Sequence, residues 1–201
     1  MLWADRDWRP TEVQRVVETF TTSTRPAKVI TDAGPAFLKG MDNPQGNGTL
    51  ACELVAGELA RLLGLKTPDF AVLDLHLDIP MQGYGNMALG PAFVSRVLPG
   101  STGSEDGSIL KNLAAPGDIS RLVMFDTWIR NADRWPPEDG IMAEPNFENL
   151  FFTPNGQKFE IIALDHSHCF VEIALDDELA DPVVAFDERV YGLFPSFTAY
   201  R

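Results

Sequence analysis

The chain has 201 residues, 29 of them acidic and 16 basic, and a formal net charge of −13. At 45% hydrophobic and 22% charged it has the composition of a globular chain able to bury a sizeable core, which excludes wholesale disorder. The acidic balance argues against sequence-independent binding to nucleic acid or to an anionic membrane, because both demand a cationic surface.

Near the N-terminus no basic segment leads into an apolar run, so no signal peptide is expected, and no apolar stretch approaches the ~20 residues that span a bilayer. A soluble, cytoplasmic protein is expected, with Cys52 and Cys169 as free buried thiols. Residues 26–32 and 36–39 flank Ala33-Gly34-Pro35 and predict a hairpin. Residues 49–63 predict a helix: Ala51, Val55, Leu59 and Leu62 recur at helical spacing, Thr49 is a candidate N-cap and Gly64 a terminator. Residues 70–77 and 90–98 predict two further strands, and the polar, glycine-rich residues 100–107 a hinge.

Beyond the hinge, Asp118 is placed to cap a second helix running to about Arg130, with Ile119, Leu122, Val123, Phe125 and Ile129 as a broad apolar face. Residues 135–148, rich in proline and acid, predict a loop. The clearest hairpin follows, with strands at 150–153 and 159–164 about a Pro154-Asn155-Gly156-Gln157 turn. Residues 172–188 carry seven acids and no base, the pattern of a solvated face. The change of character about halfway predicts two units, residues 1–99 and 100–201.

Antiparallel pairing through a short turn brings Asn149, just before that hairpin, and Asp165, just after it, to one open end. The second helix empties into Asn131-Ala132-Asp133-Arg134, so Asp133 is expected to join them. Hard cations such as Mg2+ prefer oxygen ligands, one or two carboxylates together with substrate phosphates. A further carboxylate can accept a proton from an attacking hydroxyl. Asp133, Asn149 and Asp165 therefore have the layout of a phosphotransfer site. Upstream, Lys39 ends a strand beside apolar Phe37 and Leu38, and Glu53 lies one turn into the next helix. A lysine on nucleotide phosphates, oriented by a helix glutamate, recurs in phosphoryl transfer. Asp and Asn also end strands for purely local reasons; the combination, in this chain order, is what points to the chemistry.

Several strings carry a resemblance: Ala36-Phe37-Leu38-Lys39, Cys52-Glu53, Leu62-Leu63-Gly64-Leu65-Lys66-Thr67-Pro68, Gly90-Pro91-Ala92-Phe93-Val94-Ser95-Arg96, Asn131-Ala132-Asp133-Arg134, Asn149-Leu150-Phe151 and Ala163-Leu164-Asp165-His166. Together they resemble the HipA-like kinases, a family related to the phosphatidylinositol 3- and 4-kinases. The resemblance implies an α+β, two-lobed protein-kinase-like fold: an N-terminal antiparallel sheet with one helix, and a mainly helical C-terminal lobe with a β-hairpin carrying the metal ligands. It implies ATP and Mg2+ as cofactors and a Ser/Thr protein kinase acting on a protein substrate, with neither nucleic acid nor membrane as partner. In it Lys39 contacts ATP phosphates and Glu53 pairs with it; Phe93, Val94 and Ser95 form the hinge against adenine. Ser23 and Thr24 lie in the phosphate-covering stretch, which lacks glycine. Asp133 is the catalytic aspartate, Arg134 supports its loop, and Asn149 and Asp165 hold Mg2+.

The chain departs from the family pattern at Trp135, where histidine is usual. Fifteen residues separate Asp133 from Asn149, where about four suffice in protein kinases, and they include Asn146 as a rival ligand. A second expectation follows: a catalytically impaired pseudokinase that binds nucleotide or protein. A different reading takes His166, His168 and Cys169 with Asp165 as a zinc site. Alternation along an extended segment would turn the two imidazoles to opposite sides, so His168 and Cys169, like Phe151, Phe152, Phe159 and Phe170, are expected as packing residues.

Overall fold

The structure, a computed structural model, describes residues 7–103, 108–131, 133–134 and 149–170. The loop at 135–148, with Trp135, Asn146 and Phe147, and the acidic run at 172–188 lie outside the described residues. The chain divides into two compact units, Met1–Glu58 with Pro68–Leu98, and Leu59–Thr67 with Pro99–Arg201.

The first unit is built from β1 (Val13–Thr19), β2 (Ala27–Thr31), β3 (Gly34–Met41), most of helix α1 (Gly48–Leu62), β4 (Phe70–Leu75), a small hairpin of β5 (Pro80–Met81) and β6 (Gly85–Asn86), and β7 (Ala88–Arg96). Five strands form one antiparallel sheet in the order β1-β2-β3-β7-β4. Strand β1 escapes sequence reading because it is an edge strand of largely exposed residues, with no apolar alternation to betray it.

Period-two alternation gives the sheet two faces. Ala27, Val29, Ala36, Leu38, Leu73, Leu75, Ala92 and Val94 pack on one face with Trp8, Ile79, Met81 and Met87 to form the core. Strand neighbours Phe37, Lys39, Phe70, Val72, Phe93 and Ser95 occupy the other face, where α1 lies.

The helix packs on that face through a stripe the sequence pattern did not suggest. Along that face Cys52, Glu53 and Ala56 are buried, whereas Val55 is 47% and Leu62 67% exposed. Small side chains win because the helix runs very close to the sheet: a Cβ at Gly57 would stand 2.7 Å from the Phe70 ring. Thr49 does not cap the helix; it sits inside the first turn, buried, with its hydroxyl donating to the Gly46 carbonyl at 2.8 Å. Gly64 does end it. With φ at +73°, it lets the Leu65 N–H reach the Ala60 carbonyl and its own N–H reach that of Arg61, both at 2.9 Å.

The second unit contains β8 (Ser101–Thr102), a short 3-10 helix (Ser108–Asn112), α2 (Gly117–Ile129), β9 (Phe151–Asn155) and β10 (Lys158–Ile162). Its three strands form a sheet in the order β10-β9-β8. Among the described residues this unit holds both helix and strand. The expected hinge is anchored at its start: Ser101 and Thr102 pair with β9, and a Cβ at Gly100 would collide with the Phe152 carbonyl. The remainder of that stretch, residues 104–107, lies outside the described residues.

Helix α2 buries Ile119, Leu122, Val123, Phe125 and Ile129, the face its periodicity predicts. Asp118 does not cap it: Pro116 holds the N-cap position, and the Asp118 carboxylate instead accepts from Arg121 at 2.8 Å. In the β9–β10 hairpin Asn155 pairs with Lys158, so Gly156 and Gln157 make the turn and Pro154 belongs to the strand. Only Phe152 of the four aromatic residues expected here as core is fully buried. Both cysteines are buried, and neither forms a disulfide among the described residues. No helix among the described residues is long and apolar enough to cross a membrane.

Candidate active site

In the first unit, strand β3 delivers Lys39 to the face covered by α1, and the first turns of α1 bring Glu53 over it. The two side chains form an ion pair with a direct hydrogen bond, and both are largely withdrawn from solvent, at 13% and 4% exposure. Phe93 stands opposite Lys39 across the β3–β7 ladder, and Val72 opposite Phe93 across the next. The rings of Phe93 and Phe70 stack with centroids 5.7 Å apart. An ammonium thus lies beside an apolar surface.

The structure places the expected hinge residues differently. Phe93, Val94 and Ser95 are interior to β7, paired to Lys39, Leu38 and Phe37 on one edge and to Val72, Ala71 and Phe70 on the other. A strand flanked on both sides commits its backbone donors and acceptors to the ladder, so these three do not form an open hinge segment. Val94 moreover points into the core, away from the Lys39 face. Ser23 and Thr24 lie in the β1–β2 connection, which is closed by Phe20 N–H to the Pro26 carbonyl and Arg25 N–H to that of Thr22, both 2.9 Å. Ser23 is exposed; Thr24 is buried.

In the second unit, α2 ends at Arg130 in the left-handed conformation, which turns the chain into Asn131, Asp133 and Arg134. Asn149 Nδ2 donates to Asp133 Oδ2 at 2.7 Å and to the Asp133 carbonyl at 3.3 Å. The amide oxygen of Asn149 is therefore turned away from the carboxylate, and among the described residues nothing donates to it. Asp165, at φ +58°, also adopts the left-handed region, which Asp tolerates better than most residues; its Oδ1 accepts from Ser167 Oγ at 3.0 Å.

Arg134 is fully buried. Its guanidinium donates to Asp126 Oδ1 at 2.5 Å, to the Asn149 carbonyl at 3.1 Å and to the Leu164 carbonyl at 2.7 Å. Asp126, in the last turn of α2 and also fully buried, accepts a second bond on the same oxygen from Asn131 Nδ2 at 3.1 Å, while among the described residues its Oδ2 has no hydrogen-bond partner. Burial pushes the Asp126 carboxyl up to about 6, against the opposing pull of the Arg134 charge. Sequence reading missed Asp126. Its signal was spacing: it falls on the buried stripe between Leu122 and Ile129, where an acid demands a buried partner.

His166 is buried edge-on against Phe125, with centroids 5.4 Å apart, and Cys169 is buried. No group of three or more His, Cys, Asp or Glu side chains able to hold a metal occurs among the described residues. Asn149 meets one carboxylate, that of Asp133, and Asp165 follows Leu164, whose carbonyl shares the Arg134 guanidinium with the carbonyl of Asn149, so the donors offered from these segments are oxygens. Such a hard-oxygen set suits Mg2+, which takes one or two carboxylates and completes its shell with phosphate and water oxygens.

A lysine paired to a glutamate, and Asp and Asn side chains near a helix exit and after a hairpin, are residue types that kinase-type phosphotransferases also use. The family model described as HipA-like kinase matches residues 15–189, most of the chain, and the chain belongs to that family. No curated protein matches it.

Proposed function

We propose that the chain is an ATP- and Mg2+-dependent protein kinase that phosphorylates serine or threonine hydroxyls. The observation that carries this reading is the gathering of Asp133, Asn149 and the backbone beside Asp165 about Arg134, in a HipA-like chain that also pairs Lys39 with Glu53.

In this reading Lys39 binds nucleotide phosphates, and Glu53 keeps its ammonium oriented. Phe93 and Val72 offer an apolar surface beside it. Recognition of the adenine edge by backbone passes from 93–95, whose polar groups are committed, to the residues that follow β7. Asn149 and Asp165 hold Mg2+ through oxygen, and the bound ion supplies neutralisation of the phosphate charge. Asp133 is the catalytic residue: it accepts the proton of the acceptor hydroxyl as that oxygen bonds to the γ-phosphorus and the bond from phosphorus to the β,γ-bridging oxygen breaks, releasing ADP. Asn149 fixes the orientation of the Asp133 carboxylate. Catalysis is then chiefly positioning and charge neutralisation. The acidic surface favours a protein acceptor over a lipid headgroup in an anionic membrane.

Substitution separates these roles. Asp133→Asn is expected to retain ATP binding and lose about 10²–10⁴-fold in turnover, the usual worth of a proton-transfer group. Asp165→Asn is expected to weaken Mg2+-ATP binding itself. Turnover by both variants at the unmodified rate overturns the assignment. A protein that binds nucleotide tightly and never turns it over is the pseudokinase.

A further inference from the structure

We propose that Asp126 and Arg134 are positioning residues, a buried pair that sets the spacing of the three residues assigned above to catalysis and metal binding. The inference rests on that reading and adds to it a device that holds the site together. A guanidinium is a rigid planar fork of five donors. Arg134 spends this fork on three segments: the α2 carboxylate of Asp126, the carbonyl of Asn149 and the carbonyl of Leu164, next to Asp165. Asn131 extends the cluster, donating to Asp126 and accepting the Asp133 N–H at 3.3 Å. Asp133 and Asn149 directly, and Asp165 through its neighbour, thus hang on one fully buried cluster.

A buried ion pair is a poor way to gain stability, because apolar side chains of the same volume often do as well or better. What an apolar pair cannot do is hold the two carbonyls that flank the open end of a hairpin at fixed separation. Asp126 neutralises the cation that does so and fixes its plane. Lysine cannot replace it: a single nitrogen on a flexible stem lacks the span of the fork.

The test is Mn2+ binding to the ATP-loaded protein, followed by electron paramagnetic resonance, for the unmodified chain, Asp126→Asn, Arg134→Lys and Asp165→Asn. Circular dichroism reports folding, and ATP binding without divalent ions serves as a second readout. Asp126→Asn and Arg134→Lys are expected to weaken Mn2+ at least tenfold while ion-free ATP binding stays within twofold. A merely structural pair would lower both together, and that result overturns the proposal. If Asp126→Asn fails to fold, Arg134→Lys, which retains the charge pair, decides. Mn2+ affinity within twofold of unmodified in Arg134→Lys, with Asp165→Asn clearly weakened, also overturns it. Unaltered Mn2+ binding in Asp165→Asn instead removes the metal assignment on which it stands.

Discussion

Asp126 carries a consequence that can be read without any substrate. Its carboxyl is raised from an ordinary 3.8 to about 6 because burial penalises the charged form more than Arg134 rewards it. The folded chain therefore holds this proton more tightly than the unfolded chain does. The stabilisation from this group is complete below about pH 4 and is lost as pH rises through about 6; a gap of about two units corresponds to about 3 kcal/mol. Asp126→Asn removes the titration. Denaturant unfolding at several pH values is expected to show the unmodified chain losing about 3 kcal/mol relative to Asp126→Asn between about pH 4 and 7. Parallel curves for the two proteins would contradict it. At this scale the sequence offered Asp133, Asn149, Asp165, Lys39 and Glu53 as candidates through residue type and chain order. It hid Asp126, which sits within an apolar pattern.

Among the elements, those with strong local signals were legible. The β2–β3 and β9–β10 hairpins and the buried face of α2 follow from turn chemistry and periodicity. Helix α1 was legible as a helix but not in its orientation, because its larger apolar residues face outward and its small ones meet the sheet. Close approach is a tertiary property, invisible to a rule that equates size with burial. The same approach makes Gly57 critical. In Gly57→Ala the new methyl meets the Phe70 ring, an overpacking worth about 1–3 kcal/mol, partly offset by the helix preference for alanine of about 1 kcal/mol. A net fall in stability is expected in thermal unfolding, with nucleotide affinity falling further as Glu53 is lifted from Lys39. A rise in melting temperature with unaltered nucleotide binding would show that the helix tolerates the displacement. Residues 93–95 illustrate the converse limit: their apolar run announced a strand, but its place between two neighbours, which closes its backbone to a ligand, depends on pairings remote in sequence.

For the whole molecule, composition bounded the class and family resemblance supplied the architecture: an α+β chain of the HipA-like kinases with a mainly antiparallel sheet. The net charge of −13 adds a functional constraint. Under the proposed function, an acidic protein acting on an acidic nucleotide must confine its attraction to a local cation and a metal, the roles proposed for Lys39 and for Asn149 with Asp165. Transfer of label from γ-labelled ATP, with and without Mg2+ and in the presence of a protein extract as acceptor, tests this account most directly. Mg2+-dependent phosphorylation on serine or threonine, abolished in Asp133→Asn while that variant still binds ATP, is the predicted result. Equal labelling by Asp133→Asn, or ATP binding with no transfer under any of these conditions, would contradict it.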